Sequence, residues 1–221
     1  MKLYNSNMRL YLSSYKFGNQ PDKLFALLRG NTPKVAIVTN AADMHTEPET
    51  LERYNDDKKV FEQQGLQVER LDLRNFFDKP GELQETMKQF GMVWVRGGNV
   101  FLLRVAMKLS GFDEYIKAAL ANDDIVYAGY SAGGCVLSPS LEGFDIVDDP
   151  NVVQQVYGLP ADYSGLGIID YHFEPHYKSD HPESADVDKE IEYLKAHNIA
   201  YKTVRDGEAI VVDGNTSELA G

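Results

Sequence analysis

The sequence contains little cysteine, no long apolar run and no excess of basic residues, and each shortage excludes a class of protein. Its single cysteine, Cys135, cannot form an intramolecular disulfide, which fits a reducing compartment. No run of about 18 apolar residues is present, so no membrane-spanning helix is predicted. Residues 1–14 lack an apolar stretch followed by a small-residue cleavage site, so no signal peptide is expected. We therefore expect a soluble cytoplasmic protein with no membrane partner.

The charge balance is acidic. The formal net charge of -12 argues against a nucleic-acid partner, because a phosphate-binding surface needs clustered Lys and Arg. The hydrophobic fraction of 43% and the charged fraction of 25% are ordinary for a globular protein. A length of 221 residues suits one α/β domain, and no internal repeat or linker divides the chain. We expect a single domain over residues 1–221, either as a monomer or as a homodimer.

Strand-like and helix-like segments alternate through the first 130 residues. Strands are predicted at residues 9–13, 34–40, 66–73, 92–95 and 124–130. Amphipathic helices are predicted at 48–64 and 81–90, and a longer helical stretch at 101–120 is broken near Ser110 and Gly111. Buried strands joined by helices imply crossover connections, and hence a mainly parallel sheet covered on both faces. The chain after Ser138 is rich in loops and proline, with one more helix predicted at 185–197 and a closing strand or hairpin at 201–212.

The segment Gly129-Tyr130-Ser131-Ala132-Gly133 matches G-x-S-x-G at the end of a predicted strand and the start of a helix. In that context the motif forms a sharp turn that exposes a nucleophilic serine. The short glycine–serine pattern also occurs in simple packing turns, but the strand–turn–helix context favours a catalytic serine. Ser131 is therefore the candidate nucleophile.

A second glycine pair, Gly97-Gly98, ends another strand and precedes Asn99. The carboxyl ends of parallel strands lie at one edge of a sheet, so this loop should approach Ser131. The N–H groups of Gly98 and Ala132 could then form an oxyanion hole. Taken alone, the pair is more typical of a strand-to-helix turn in which Asn99 caps the helix.

A serine nucleophile needs a general base, most often histidine. His45, His181 and His197 lie in polar loops or near a helix end and are expected at the solvated surface. His172 and His176 follow the apolar run at residues 166–169, at what we expect to be another strand end. The residues alone do not distinguish these two histidines.

Three motifs in a fixed order resemble the peptidase E family, which comprises alpha-aspartyl dipeptidases related to cyanophycinases. They are GGNVFLL at residues 97–103, AGYSAGG at 128–134 and EPHY at 174–177. The resemblance extends over nearly the whole chain. It implies a three-layer α/β/α sandwich related to class I glutamine amidotransferases. It also implies a cofactor-free serine peptidase of the bacterial cytoplasm that acts on short peptides.

The resemblance assigns roles to residues of this sequence. It makes Ser131 the nucleophile and His176 the base, and it matches Gly98 and Ala132 to the oxyanion positions. The order of nucleophile, histidine and acid differs from that of α/β-hydrolases, which argues against a lipase or esterase of that class.

The third catalytic residue is a late carboxylate in the family. Asp206 matches its position best. The alternatives for the orienting role are, in order, Asp145, fourteen residues after Ser131, and Glu208, two residues after Asp206.

Substrate contacts are expected from Asn99, Arg96 and Lys178. Arg96 precedes Gly97 where many relatives have glycine, and the segment after His176 contains no arginine. In the family this segment helps to bind the acidic side chain of the substrate, so we expect a preference for amino-terminal aspartate that is not exclusive.

Two other readings of function remain open at this point. The same triad could serve another acyl hydrolase, such as an esterase or an isoaspartyl or cyanophycin-like amidase. The fold could also persist as a non-catalytic binding module.

Other side chains receive structural interpretations. Cys135 and Trp94 are expected in the core, and the acidic residues near Asp148 and Glu190 on a solvated face. His172, Glu174 and His176 are weak evidence for a metal beside a serine motif, so no metal ligand is assigned.

Overall fold

The computed structural model describes residues 8–221, and a seven-stranded mixed sheet forms its centre. The strand order is β3-β2-β4-β5-β1-β8-β9. The five strands from β3 to β1 are parallel, whereas β8 runs antiparallel to β1 and pairs with β9 in a hairpin. The strands are β1 (Arg9–Ser13), β2 (Lys34–Val38), β3 (Gln67–Leu71), β4 (Met92–Val95), β5 (Val126–Tyr130), β8 (Ala209–Asp213) and β9 (Thr216–Ala220).

Helices follow the strands and cover both faces of the sheet. They are α1 (Pro21–Leu27), α2 (Glu47–Gln63), α3 (Pro80–Met87), α4 (Val100–Ser110), α5 (Phe112–Ala121), α6 (Ala132–Cys135), α7 (Val152–Tyr157) and α8 (Ser184–Ala196). Short 3-10 turns occur at Asn40–Ala42, Leu73–Phe76 and Phe144–Ile146. The expected α/β sandwich with a mainly parallel sheet is confirmed.

Alternate residues of the central strands face two separate hydrophobic cores. In β2, Ala36 and Val38 belong to the larger core, and Val35 and Ile37 belong to the smaller one. Helices α3 to α6 contribute to the larger core, and α1 and α2 to the smaller one. The strands therefore carry continuous apolar runs because both of their faces are covered.

Trp94 lies at the centre of the smaller core. It is fully buried, and its ring stacks on Phe17 with 4.5 Å between centroids. This agrees with its expected place in the core. Cys135, in the larger core, is also buried as expected.

The region after residue 138 differs most from the sequence-based expectation. The apolar run at 166–169 forms no strand, and the strand instead consists of His172–Glu174 (β6). Residues Tyr201–Thr203 (β7) pair in parallel with β6 in a separate two-stranded sheet. The predicted strand or hairpin at 201–212 is thus two strands in two sheets, because the chain leaves one sheet and enters the other at residues 204–208.

Within residues 8–221, no helix combines the length and the apolar character needed to cross a membrane.

Glycine is required where α6 crosses the end of β4. A Cβ on Gly133 would lie 2.2 Å from the carbonyl oxygen of Val95, and one on Gly129 would lie 2.9 Å from the same atom. The backbone cannot easily yield there, because β4 pairs with strands on both sides. The two glycines that flank Ser131 therefore allow the turn to approach the sheet directly.

We expect Gly133→Ala to lower the free energy of unfolding by about 1–3 kcal/mol or more, as overpacking against backbone does. Gly81→Ala is the matched control, since a Cβ on this residue of α3 meets no atom within 4 Å. That change should stabilise the protein by roughly 0.5–1 kcal/mol through helix propensity. Urea unfolding of both variants measures the two values, and equal effects would contradict this account of Gly133.

Candidate active site

Ser131 occupies the turn between β5 and α6 in a strained conformation. Its φ of 48° and ψ of -122° are unusual for a residue with a side chain. The turn is held from both sides: the N–H of Ser131 donates to the carbonyl of Ser13 at 3.3 Å, and the N–H of Gly134 donates to the carbonyl of Ser131 at 2.7 Å. Such an over-determined turn is the geometry that exposes a nucleophilic hydroxyl.

The loop at Gly97 and Gly98 packs against this turn. A Cβ on Gly97 would lie 2.9 Å from the Cβ of Ser131. Gly98 has a φ of 142°, and a Cβ there would lie 2.4 Å from the carbonyl oxygen of Ala41. Only glycine suits both positions. Gly98 lines a cavity with Ser131, while Ala132 begins α6 and lines a smaller adjoining cleft.

His176 follows β6 and also has a positive φ, of 59°. Its Nδ1 lies 2.7 Å from Oδ1 of Asp206, in the loop between β7 and β8. The other two candidate carboxylates have different partners. Asp145 accepts from the hydroxyl of Tyr163, and Glu208 accepts from the backbone N–H of Arg205. Of the three, Asp206 is therefore the carboxylate that contacts the ring of His176.

Ser14 forms hydrogen bonds to both His176 and Asp206. Its hydroxyl accepts the backbone N–H of His176 at 2.7 Å and donates to Oδ1 of Asp206 at 2.6 Å. The backbone N–H of Asp206 in turn donates to the hydroxyl of Ser179 at 2.8 Å. Sequence reasoning missed Ser14, because a serine at the end of a strand carries no motif of its own.

His181 lies at the site rather than at the solvated surface where we expected it. Its ring stacks on His176 with 3.6 Å between centroids, and Tyr15 packs against both rings. Nε2 of His176 is 3.8 Å from Oε2 of Glu183. Burial and the nearby His181 lower the pKa of His176, and Asp206 opposes that shift. The imidazole is thus favoured in the neutral form that a general base requires.

A cavity of about 270 Å³ opens beside Ser131 and His176. Its walls come from the loop after β1, from α2, from the glycine loop after β4 and from the segment around His181. The lining residues are Tyr15, Lys16, Arg53, Asp56, Arg96, Gly97, Gly98, Tyr130, Ser131, His176, His181 and Glu183.

The charge of Arg96 is already paired. Its Nη1 lies 2.5 Å from Oδ2 of Asp57, which also accepts from Nε1 of Trp94 at 2.9 Å. Both partners of the ion pair are buried. Arg96 thus lines the cavity as expected, but its guanidinium is not a free cation for a substrate carboxylate, because Asp57 neutralises it.

The matching family model covers residues 12–220 and is that of peptidase family S51. The chain belongs to this family. It is also similar to an uncharacterised peptidase of Listeria innocua, Lin0382, with 29% identity over 159 residues that span 69% of this chain and 73% of the relative. A peptidase E of Streptomyces coelicolor is 28% identical over 134 residues, which are 58% of this chain and 51% of that protein.

Solved structures agree with this membership of family S51. A crystal structure of a Listeria monocytogenes EGD-e protein assigned to peptidase E superposes with a TM-score of 0.77 at 25% identity, over 96% of this chain and 98% of that one. A peptidase from an acI-B1 actinobacterium shares the fold, with a TM-score of 0.72 at 16% identity over 100% of this chain and 91% of its own.

Two residues that were expected to contact the substrate, Asn99 and Lys178, do not line the cavity. Asn99 caps α4: its Oδ1 accepts from the N–H groups of Phe101 and Leu102, and its Nδ2 donates to the carbonyl of Asp149. Lys178 is exposed and does not line the cavity; its Nζ lies 5.0 Å from the ring centre of Tyr177.

Two other cations line the cavity instead. Arg53 projects from α2 and Lys16 from the loop after β1, and neither forms an ion pair within the described residues 8–221. Neither stood out in the sequence, because solvated cations on helices and loops are common.

Ser14→Ala should lower the free energy of unfolding by about 1–3 kcal/mol, because the buried N–H of His176 loses its acceptor. Ser217→Ala, at an exposed position of β9, should change it by less than about 0.5 kcal/mol. Chemical denaturation measures both values. In Ser14→Ala, the proton NMR signal of the His176–Asp206 hydrogen bond should also shift or broaden. An unchanged signal would contradict a positioning role for Ser14.

Proposed function

We propose that the protein is a serine peptidase that releases the amino-terminal residue of short peptides, with a preference for aspartate. One observation carries the proposal: the 2.7 Å contact between Nδ1 of His176 and Asp206, beside a strained Ser131 in the same cavity. The membership of peptidase family S51 supports the reaction class.

In the proposed acylation step, the hydroxyl oxygen of Ser131 attacks the carbonyl carbon of the scissile peptide bond. Nε2 of His176 accepts the hydroxyl proton, while Asp206 stabilises the resulting imidazolium through Nδ1. The carbonyl oxygen becomes an oxyanion, for which we propose the N–H groups of Gly98 and Ala132 as donors. As the C–N bond breaks, His176 returns the proton to the departing amine.

Hydrolysis of the acyl-enzyme follows the same course in reverse. His176 takes a proton from a water molecule, whose oxygen attacks the acyl carbon. The bond to Ser131 then breaks, and the serine oxygen regains a proton from His176. The products are the free amino-terminal residue and the shortened peptide.

The cavity supports the choice of substrate. Its modest volume suits the end of a short peptide rather than a folded protein. Arg53 and Lys16 line it without ion-pair partners in the described chain and could bind a substrate carboxylate. Because Arg53 is exposed, its contribution to selectivity should be modest, which fits a preference that is not exclusive.

Substitutions in the proposed triad should abolish or strongly reduce turnover without unfolding the protein. We expect no turnover and no labelling by a fluorophosphonate probe in Ser131→Ala, since the attacking oxygen is gone. Asp206→Asn should reduce kcat roughly 10³–10⁴-fold with little change in KM, because it removes the charge that stabilises the imidazolium.

Asp145→Asn is the matched control for Asp206, being the same substitution at the carboxylate bonded to Tyr163. It should leave kcat near the wild-type value. Equal losses in the two variants would refute the role of Asp206. If the wild type is not labelled at Ser131 and cleaves neither peptides nor esters, the chain is a non-catalytic binding module.

Arg53→Ala should lower the preference for Asp-Leu over Ala-Leu. We expect the ratio of the two kcat/KM values to fall up to about tenfold, the equivalent of about 1.4 kcal/mol of lost contact. Lys178→Ala, which removes a cation outside the cavity, should leave the ratio unchanged. Equal cleavage of both dipeptides by the wild type would reject the aspartate preference and leave the serine mechanism intact.

A further inference from the structure

Three ionisable side chains meet between β6 and α8. His172 and Glu174 belong to β6, and Glu190 belongs to α8. Their exposed fractions are 1%, 0% and 1%. Contrary to the sequence-based expectation, Glu190 therefore does not lie on a solvated face. Tertiary folding brings it to His172 and Glu174, whereas His176, beyond Pro175, faces the cavity.

The polar atoms of this cluster have no partner outside it among residues 8–221. Nδ1 of His172, both carboxylate oxygens of Glu174 and Oε1 of Glu190 are buried without a hydrogen-bond donor from the surrounding protein, and the two glutamates face each other. The facing atoms lie within 4.8 Å of one another, with Nδ1 of His172 3.8 Å from Oε1 of Glu174. Buried groups of this kind are costly unless something between them satisfies them.

The surrounding charge makes two carboxylates still more costly. No Lys or Arg within residues 8–221 forms an ion pair with either glutamate. Asp148 lines the same cleft as Glu190 and adds another acidic group nearby. A cation at the centre would compensate every one of these groups.

We propose that His172, Glu174 and Glu190 bind one divalent transition-metal ion of the Zn²⁺ class. One imidazole nitrogen with two carboxylate oxygens is a donor set that suits Zn²⁺ or Mn²⁺ and that the soft, thiolate-seeking Cu⁺ does not favour. In a tetrahedral site with bonds of about 2.1 Å, ligand atoms lie about 3.4 Å apart. The three side chains, whose facing atoms lie within 4.8 Å of one another, would therefore move closer together when the ion binds.

A narrow cleft beside Ser131 and His176 reaches one of the three proposed ligands, Glu190. Asp148 and Glu183 also line this cleft, so acidic residues lie along the route that a cation would take. The ion would link β6 to α8 just ahead of Pro175 and His176. It is a structural ion that stabilises the support of the base, and it takes no part in the proposed serine chemistry.

The experiment measures metal content and stability of the full chain, and therefore does not depend on peptidase activity. Wild-type protein produced in zinc-supplemented medium should hold one equivalent of zinc by mass spectrometry of the ion. Protein refolded after removal of metal should gain a Tm higher by about 5 °C or more on addition of Zn²⁺. With Co²⁺ as the probe, a visible absorption band should appear at one equivalent.

Glu190→Gln should lose the ion, the Co²⁺ band and the gain in Tm. Glu192→Gln, the same change at an exposed position of α8, should behave as wild type. His181→Ala should also keep the ion, although it disrupts the second group of possible ligands at His176, His181 and Glu183.

Three results would overturn the proposal. The first is a wild-type protein that neither holds nor responds to the metal, a measurement that needs no variant to fold. The second is a Glu190→Gln protein as stable as the metal-loaded wild type, since glutamine mimics a protonated acid and a proton shared by the two glutamates would then account for the cluster without an ion. The third is a bound ion that is absent from His181→Ala and present in Glu190→Gln.

Discussion

Two residues at the end of β1, Ser13 and Ser14, form hydrogen bonds to the residues of the candidate active site. The carbonyl of Ser13 accepts the N–H of Ser131, and the hydroxyl of Ser14 bonds to both His176 and Asp206. Strand β1 is well suited to this task, because it pairs with β5 on one side and β8 on the other. Ser131, His176 and Asp206 come from three distant parts of the chain, and two adjacent residues at the end of a central strand form hydrogen bonds to all three.

Close backbone packing makes that arrangement possible. Gly129 and Gly133 let the turn at Ser131 lie on the carbonyl of Val95, and Gly97 and Gly98 bring the next loop against it. Ser131 and His176 both adopt a positive φ, a conformation that the surrounding hydrogen bonds must hold. Hydrogen bonds to the end of β1 thereby keep Ser131 and His176 in these unfavourable backbone conformations.

Charge is distributed unevenly around the site. The chain carries a net charge of -12, and its cavity is lined by Arg53 and Lys16 beside Asp56 and Glu183, while Asp57 neutralises the buried Arg96. Between β6 and α8, Glu174 and Glu190 lie buried together. The two cations of the cavity are the basis of the substrate preference proposed above, and the buried carboxylates are the basis of the proposed metal site.

The sequence by itself determined the parallel α/β architecture and the turn at Ser131, because apolar strand runs and the glycine spacing are local patterns. It also limited the candidates for the carboxylate beside the histidine to Asp206, Asp145 and Glu208. Only the tertiary structure decided which of these carboxylates contacts His176. It also placed Ser14 and His181 against His176, and Arg53 in the wall of the cavity. It also paired Arg96 with Asp57 and buried Glu190. These outcomes depend on contacts between residues far apart in the chain, for which no local pattern of the sequence carries a signal.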